Sequence, residues 1–189
     1  RRAHEKQPAE RQRCATGLAI PVDEDTGQPV QPFEAAVNRL WVSDSTETKF
    51  GDPTTRLAQT DRWTVLLRPK QPTFGSLVLI CREPVQSFAD VSASGYAELR
   101  EVVSCSESTL REVVAYERIN YLMLMMVDPD VHFHVIPRYN GSRSFGALAF
   151  ADAGWPGPPA LEPAVALDTA TIDSLVARLR GAWQAAPAS

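Results

Sequence analysis

Only three histidines occur in these 189 residues, and two of them, His132 and His134, stand in Val127-Asp-Pro-Asp-Val-His-Phe-His-Val-Ile-Pro-Arg-Tyr139. Side chains alternate between the two faces of a β-strand, so residues at i, i+2 and i+4 share a face. A strand over 131–137 puts Asp130, His132 and His134 on one side and Val131, Phe133 and Val135 on the other. One face is apolar enough for a core and the other carries three titratable groups. The plain alternative is a half-wet strand whose polar positions happen to be histidines. The chemical alternatives are an imidazole acting as nucleophile or general acid–base near neutral pH, or a His-x-His pair holding a metal.

Spacing weighs against the metal. A strand rises roughly 3.3 Å per residue, which sets the Cα atoms of Asp130 and His134 about 13 Å apart. Both cannot easily reach one ion at about 2.0–2.1 Å. His132 and His134 could chelate together, but no Cys-x-x-Cys, His-Glu-x-x-His or second histidine cluster offers further ligands. Imidazole chemistry ranks first, no metal site is assigned, and the sequence names no cofactor.

The length fits one domain with a sizeable core. Hydrophobic residues at 44% and charged residues at 22% are ordinary for a soluble globular chain. A net charge of −4 argues against a broad nucleic-acid-binding face but leaves room for a local basic pocket. No apolar run approaches the ~20 residues that cross a bilayer, so no membrane partner is expected. Arg1 to Arg13 is charged and has no apolar stretch of the signal-peptide kind. The three cysteines, Cys14, Cys81 and Cys105, have no metal-like spacing, and their odd number suggests reduced thiols in a cytoplasm.

The elements that must position the histidines follow from pattern. Residues 1–31, with Pro8, Pro21, Pro29 and a Glu24-Asp25-Thr26-Gly27 turn, read as a polar N-terminal arm. Residues 32–189 read as a single domain. Pro32 could open a short helix to Leu40, and 43–60 is loop-like. Strands are expected at Arg62–Arg68 and Gly75–Arg82, joined by Pro69-Lys-Gln-Pro-Thr-Phe74. In that connection Lys70, Gln71, Thr73 and Ser76 could offer donors to an anion, or be a solvated turn. Leu99, Val102, Val103, Leu110, Val113 and Val114 recur at helical spacing within 92–117. A third strand is expected at Asn120–Val127, its apolar run buried on both faces and its three methionines filling core. Asp128-Pro129 links it to the histidine strand. Asn140-Gly141 turns the chain, and Ser142, Arg143 and Ser144 form a polar loop beyond. Residues 151–168, around Trp155-Pro-Gly-Pro-Pro159, read as an irregular crossing, and a last helix as 170–184. The order β-β-α-β-β gives an α+β fold, an antiparallel sheet with one long helix packed on it and a C-terminal helix.

These residues resemble the histidine triad superfamily of nucleotide hydrolases and transferases, whose signature is His-φ-His-φ-His-φ-φ on a strand, φ being apolar. Asp130-Val-His-Phe-His-Val-Ile136 matches all but the first histidine. The order of elements over about 60–140 also matches, and Trp155-Pro-Gly-Pro-Pro159 resembles the tail of bacterial members similar to diadenosine polyphosphate phosphorylases. The resemblance implies that His132 attacks an α-phosphorus and that a nucleotidyl-imidazole intermediate is released to water or another acceptor. It implies that His134 supports the site and contacts phosphate, and that the chain forms a homodimer. Gln71, Thr73, Asn120 and Arg143 are the substrate contacts expected, with a small molecule, a nucleotide by the resemblance, as the ligand.

Two positions depart from the pattern. Asp130 stands in place of the first histidine, and Leu66 stands near where the family carries an acidic residue for ribose. A second negative charge 4 Å from a phosphate oxygen costs about 4 kcal/mol at an effective dielectric of 20. Besides the nucleotidyl hydrolase or transferase there is therefore a repurposed enzyme, in which Asp130, His132 and His134 do acid–base chemistry on a non-nucleotide small molecule in specialised metabolism. A third possibility is a binding protein that kept the fold without turnover.

Overall fold

A computed structural model describes residues 44–128 and 130–186. The polar arm, the helix expected from Pro32 and the Pro129 half of the Asp128-Pro129 link lie outside the described residues. Strands β1 (Arg56–Gln59), β2 (Trp63–Leu67), β4 (Leu77–Cys81), β5 (Arg118–Leu122) and β6 (His132–Arg138) form one antiparallel sheet in the order β1-β2-β4-β6-β5. The short β3 (Lys70–Gln71) pairs with β9 (Val165–Ala166), and β7 (Ser142–Phe145) forms a hairpin with β8 (Leu148–Ala151). Helix α1 is Asp44–Lys49, α2 is Ala93–Val114 and α3 is Thr169–Ala185. The α+β architecture expected from the sequence is the one observed.

Strand alternation divides the sheet into two unlike faces. Trp63, Val65, Leu67, Leu77, Leu79 and Val135 point into the main core, where Val102, Leu110 and Val114 of α2 and Leu175, Leu179 and Trp183 of α3 cover them. Both helices start on side-chain caps. Ser92 Oγ accepts from the Gly95 N–H at 3.0 Å and Asp168 Oδ1 from the Thr171 N–H at 2.8 Å. Such caps satisfy donors that a helix start leaves open. Gly75 begins the β4 approach with φ +80°, and a Cβ there would stand 2.5 Å from Val114 Cγ2, so the turn needs glycine to seat against α2.

Four expectations are corrected. Residues 43–60 contain α1 and the edge strand β1, because Asp44-Ser-Thr-Glu47 has the polar start of a helix that apolar periodicity does not report. The third strand spans Arg118–Leu122, not Asn120–Val127. Its apolar tail turns away: Met126 is 96% exposed and Val127 81%, while Met123 and Met125 pack partly against the core. The run cannot stay in the sheet because β6, its partner, begins only at His132. Finally, Cys105 is disulfide-bonded, against the expectation of reduced thiols, since the fold and not spacing along the chain decides which thiols can pair. Cys81 is free and buried.

One buried ion pair fastens the end of the histidine strand. Arg138 Nε donates to Asp152 Oδ2 at 2.6 Å, its Nη1 to Asn120 Oδ1 at 2.7 Å and its Nη2 to the Gly157 carbonyl at 3.0 Å. Removing one partner of such a pair strands the other charge out of water. Asp152→Ala is expected to destabilise the protein by about 3–5 kcal/mol, measured by urea denaturation. A loss below about 1 kcal/mol would show that the guanidinium finds water instead.

Candidate functional site

The face of the sheet away from α2 and α3 is built in rows, one residue from each strand. Thr64, Ile80 and His132 make one row; Leu66, Val78, His134 and Leu122 make the next. The Arg68 N–H donates to the Ser76 carbonyl at 3.0 Å, extending the β2–β4 ladder to a third row that Ile136 and Asn120 continue. Opposed residues of paired antiparallel strands project to the same side. The register alone therefore gathers both histidines, Asn120 and Arg68 on one surface.

That surface is not open. Phe50, Leu66, Val78 and Ile80 form a second, small apolar cluster, separate from the main core. The Phe50 ring meets His134 edge-on at 5.6 Å between centroids and stands 6.4 Å from His132, and the two imidazoles lie 5.2 Å apart. His132 is 0% exposed and His134 6%. Segment 46–50 lies over them, and two of its side chains bond to the turn before β6. Thr46 Oγ1 donates to Asp130 Oδ2 at 2.5 Å, and Lys49 Nζ pairs with Asp128 at 2.6 Å. Glu47 lies in the same roof; burial raises its carboxyl pKa, against a hydrogen bond from Thr64.

Asp130 precedes β6 in a bend and is not part of the strand. Its carboxylate faces Thr46, so the expected row of Asp130, His132 and His134 does not form as one strand face. What Asp130 gives His132 is its backbone: the carbonyl oxygen lies 2.7 Å from His132 Nδ1. A carbonyl only accepts, so Nδ1 carries a proton, and in the neutral ring the lone pair sits on Nε2. Nε2 is buried and has no partner, and neither has His134 Nδ1. Burial, with the positive charge of Arg68 next, lowers the His134 pKa to about 4, which keeps it neutral at pH 7.

The other expected contacts fall differently. Gln71 gives its side-chain N–H groups to the Arg68 and Ser76 carbonyls and accepts from the Ser76 N–H, while Thr73 and Ser76 bond one another. Both side chains hold the turn before β4, and a ligand would have to displace those bonds. Arg143 lies on the helix side of the sheet, donating to the Val114 and Ala115 carbonyls that end α2 and stacking 4.3 Å over the Tyr139 ring. It is therefore a helix cap away from the histidine face, because the turn after Tyr139 carries the chain back toward α2. Asn120 does share the histidine face, accepts from Arg138 and lines a cleft with Arg118, Arg138, Trp155 and Gly157. Sequence reasoning missed Thr46, Phe50 and Arg68. The polar start at 44–47 and the period of β2 carried signals for them, but neither pointed to the histidines. Among the described residues no group of three or more His, Cys, Asp or Glu side chains could hold a metal ion.

No family model matches this sequence, and no curated protein matches it. Solved structures do resemble the fold. A histidine triad protein from Bradyrhizobium japonicum is 20% identical, with a TM-score of 0.59 over 75% of this chain and 96% of that one. One from Sinorhizobium meliloti is 18% identical, with a TM-score of 0.60 over 74% and 95%. One from Marinobacter aquaeolei is 22% identical, with a TM-score of 0.57 over 74% and 95%. The chain thus shares the fold of histidine triad proteins.

Two outcomes follow from the covered face. Between pH 6.5 and about 4 the unfolded chain binds a proton at residue 134 that the folded chain refuses. Stability therefore falls as pH drops through that window and the loss levels off below it. Denaturant titrations at pH 7 and 4.5 should show the fall, and His134→Gln should reduce it; an equal fall in the variant would place the cause elsewhere. Thr46→Val removes a hydrogen bond to a carboxylate, worth about 1.5–3 kcal/mol. Carbethoxylation of His132, mapped by peptide mass, should then speed up by about ten- to a hundredfold, whereas an unchanged rate would mean that this contact does not hold the segment down.

Proposed function

We propose that this chain is a nucleotidyl hydrolase or transferase that works through a covalent intermediate on His132. The observation that carries the reading is the state of that imidazole. Its Nδ1–H is bonded to the Asp130 carbonyl, which in the neutral ring leaves the lone pair on Nε2, and Nε2 is buried without a partner. A nucleophile needs an unprotonated nitrogen in a fixed direction, and a backbone acceptor supplies both without adding charge. The likeness of fold to histidine triad proteins supports the choice of phosphorus as the electrophile.

In the first displacement Nε2 bonds to the α-phosphorus while the bond from phosphorus to the leaving group breaks. In the second, water or another acceptor attacks phosphorus, the P–N bond breaks and the imidazole returns to its Nδ1–H form. The Asp130 carbonyl supports the positive charge that grows on the ring in the first step and fades in the second. Neutral His134, beside it, is positioned to touch a phosphate oxygen. The substrate enters only when segment 46–50 shifts, since His132 is fully covered as the chain stands. A homodimer belongs to the same proposal, resting on resemblance; the cytoplasmic setting rests on the cysteine count, and the disulfide at Cys105 removes that support.

The acid–base alternative draws on the carboxylate of Asp130, but that group is engaged with Thr46 and not with either imidazole. The two readings separate on one experiment. Intact-protein mass spectrometry after brief incubation with adenylylated and guanylylated compounds should show a nucleoside-monophosphate increment that His132→Ala abolishes. Turnover of a small molecule with no phosphorus adduct, and dependent on Asp130, would replace this reading with the alternative.

A further inference from the structure

Among the groups that act on His134, one charge has no partner. The groups acting on His134 are Arg68, His132, Asp128 and Lys49. Lys49 and Asp128 neutralise each other in an ion pair. The Asp130 carboxylate is bound by the Thr46 hydroxyl. Arg68 remains, half-buried, with Nε and Nη1 both shielded from water and neither hydrogen-bonded. Among the described residues Glu162 is the carboxylate whose field reaches Arg68, and no ion pair joins the two. A guanidinium carries five donors in a rigid fork, and leaving two of them dry and unmet is costly.

Position gives this cost a purpose. Arg68 heads the row next to that of His134, with only β4 between their strands, and the β4 residue beside Arg68 is the small Ser76. The unmatched buried atoms on and over this face are Arg68 Nε and Nη1, His134 Nδ1 and His132 Nε2, with Glu47 Oε1 in the roof and Arg82 Nε toward β1. Arg82, unlike Arg68, gives its Nη1 to the Thr60 and Asp61 carbonyls. We propose that Arg68 is the cationic anchor of the substrate site, holding phosphate oxygens in its fork while the phosphorus faces His132. This deepens the nucleotidyl reading and rests on it. It also answers the altered triad. With an aspartate in place of the first histidine and the last histidine neutral, the site's positive charge comes from another strand. A planar fork fits two phosphate oxygens at once, which a neutral imidazole cannot do.

The test uses the full chain with two probes, inorganic phosphate and adenosine 5′-monophosphate, titrated by calorimetry into wild type, Arg68→Met and Arg68→Lys. Wild type is expected to bind both. Arg68→Met should weaken both by about 30-fold or more, with Arg68→Lys in between, since lysine keeps the charge and loses the fork. The thermal midpoint of Arg68→Met should equal or exceed that of wild type, because the methionine removes an unmet buried charge. A merely structural arginine would instead lower the midpoint. Phosphate affinity unchanged in Arg68→Met, or no binding of either probe to wild type at millimolar concentration, would overturn the proposal. The outcome is separable from the fate of the His132 adduct. Arg68-dependent phosphate binding without any adduct would sink the nucleotidyl reading and leave an anion site. An adduct formed as fast in Arg68→Met as in wild type would keep His132 as nucleophile and remove Arg68 from the site.

Discussion

Strand β6 is held along both edges, by β4 and by β5, and the register of those two ladders decides what the protein can do. Side chains alternate along a strand, so a slip of one residue would turn His132 and His134 into the main core and Phe133 and Val135 out of it. The apolar demands of α2 and α3 on one face thus fix the chemistry of the other. The anchor at the far end of the strand is Arg138, whose pairing with Asp152 and Asn120 ties β6 to β5 and to the segment beyond β8. Position of the imidazoles is a consequence of packing, and no bond between the imidazoles is needed to set it.

What the imidazoles become is set by two short contacts and by burial. The carbonyl of Asp130 selects the tautomer of His132. The carboxylate of the same residue turns the other way and holds down the roof through Thr46. One residue therefore orients the His132 imidazole with its backbone and binds the covering segment with its side chain. Under that roof, water is excluded by Phe50, Leu66, Val78 and Ile80, and a charge on His134 is disfavoured. Low local dielectric strengthens whatever electrostatic contact a substrate makes there. The proposed chemistry at a fully buried His132 needs the covering segment to shift. That segment is joined to the rest by the Thr46–Asp130 bond, the Lys49–Asp128 ion pair and the Thr55 hydroxyl on the Phe50 carbonyl.

Much of the fold was legible because its signals are periodic. The two strands before α2, the stripe from Leu99 to Val114 and the alternation around Phe133 each carried their own period, and the α+β sheet followed from their order. The site was legible only where it lies on such an element. His132 and His134 were found because β6 alternates. Thr46 and Phe50 were not, because α1 is too short to show a stripe and its partners, Asp130 and His134, are some 84 residues away in sequence. Arg68 reads from sequence as the polar end of a strand; that it is unmet and near His134 is a tertiary fact. Conversely, Gln71, Thr73 and Arg143 look available in a list of polar loop residues. Their donors are taken by backbone carbonyls, as such residues near turns and helix ends commonly are. The Met123–Val127 run misled for the opposite reason, since apolar composition does not say where a partner strand begins.

The central claim is that His132 presents an unprotonated Nε2. Nitrogen-15 NMR of histidine-labelled protein at pH 7, with one-bond and long-range couplings assigning each ring nitrogen, measures this directly. The expected result is the Nδ1–H tautomer at residue 132, with Nε2 at the chemical shift of a bare ring nitrogen. A proton on Nε2, or a fully protonated ring, would mean that the Asp130 carbonyl does not hold the imidazole as described, and nucleophilic chemistry at His132 would have no structural basis.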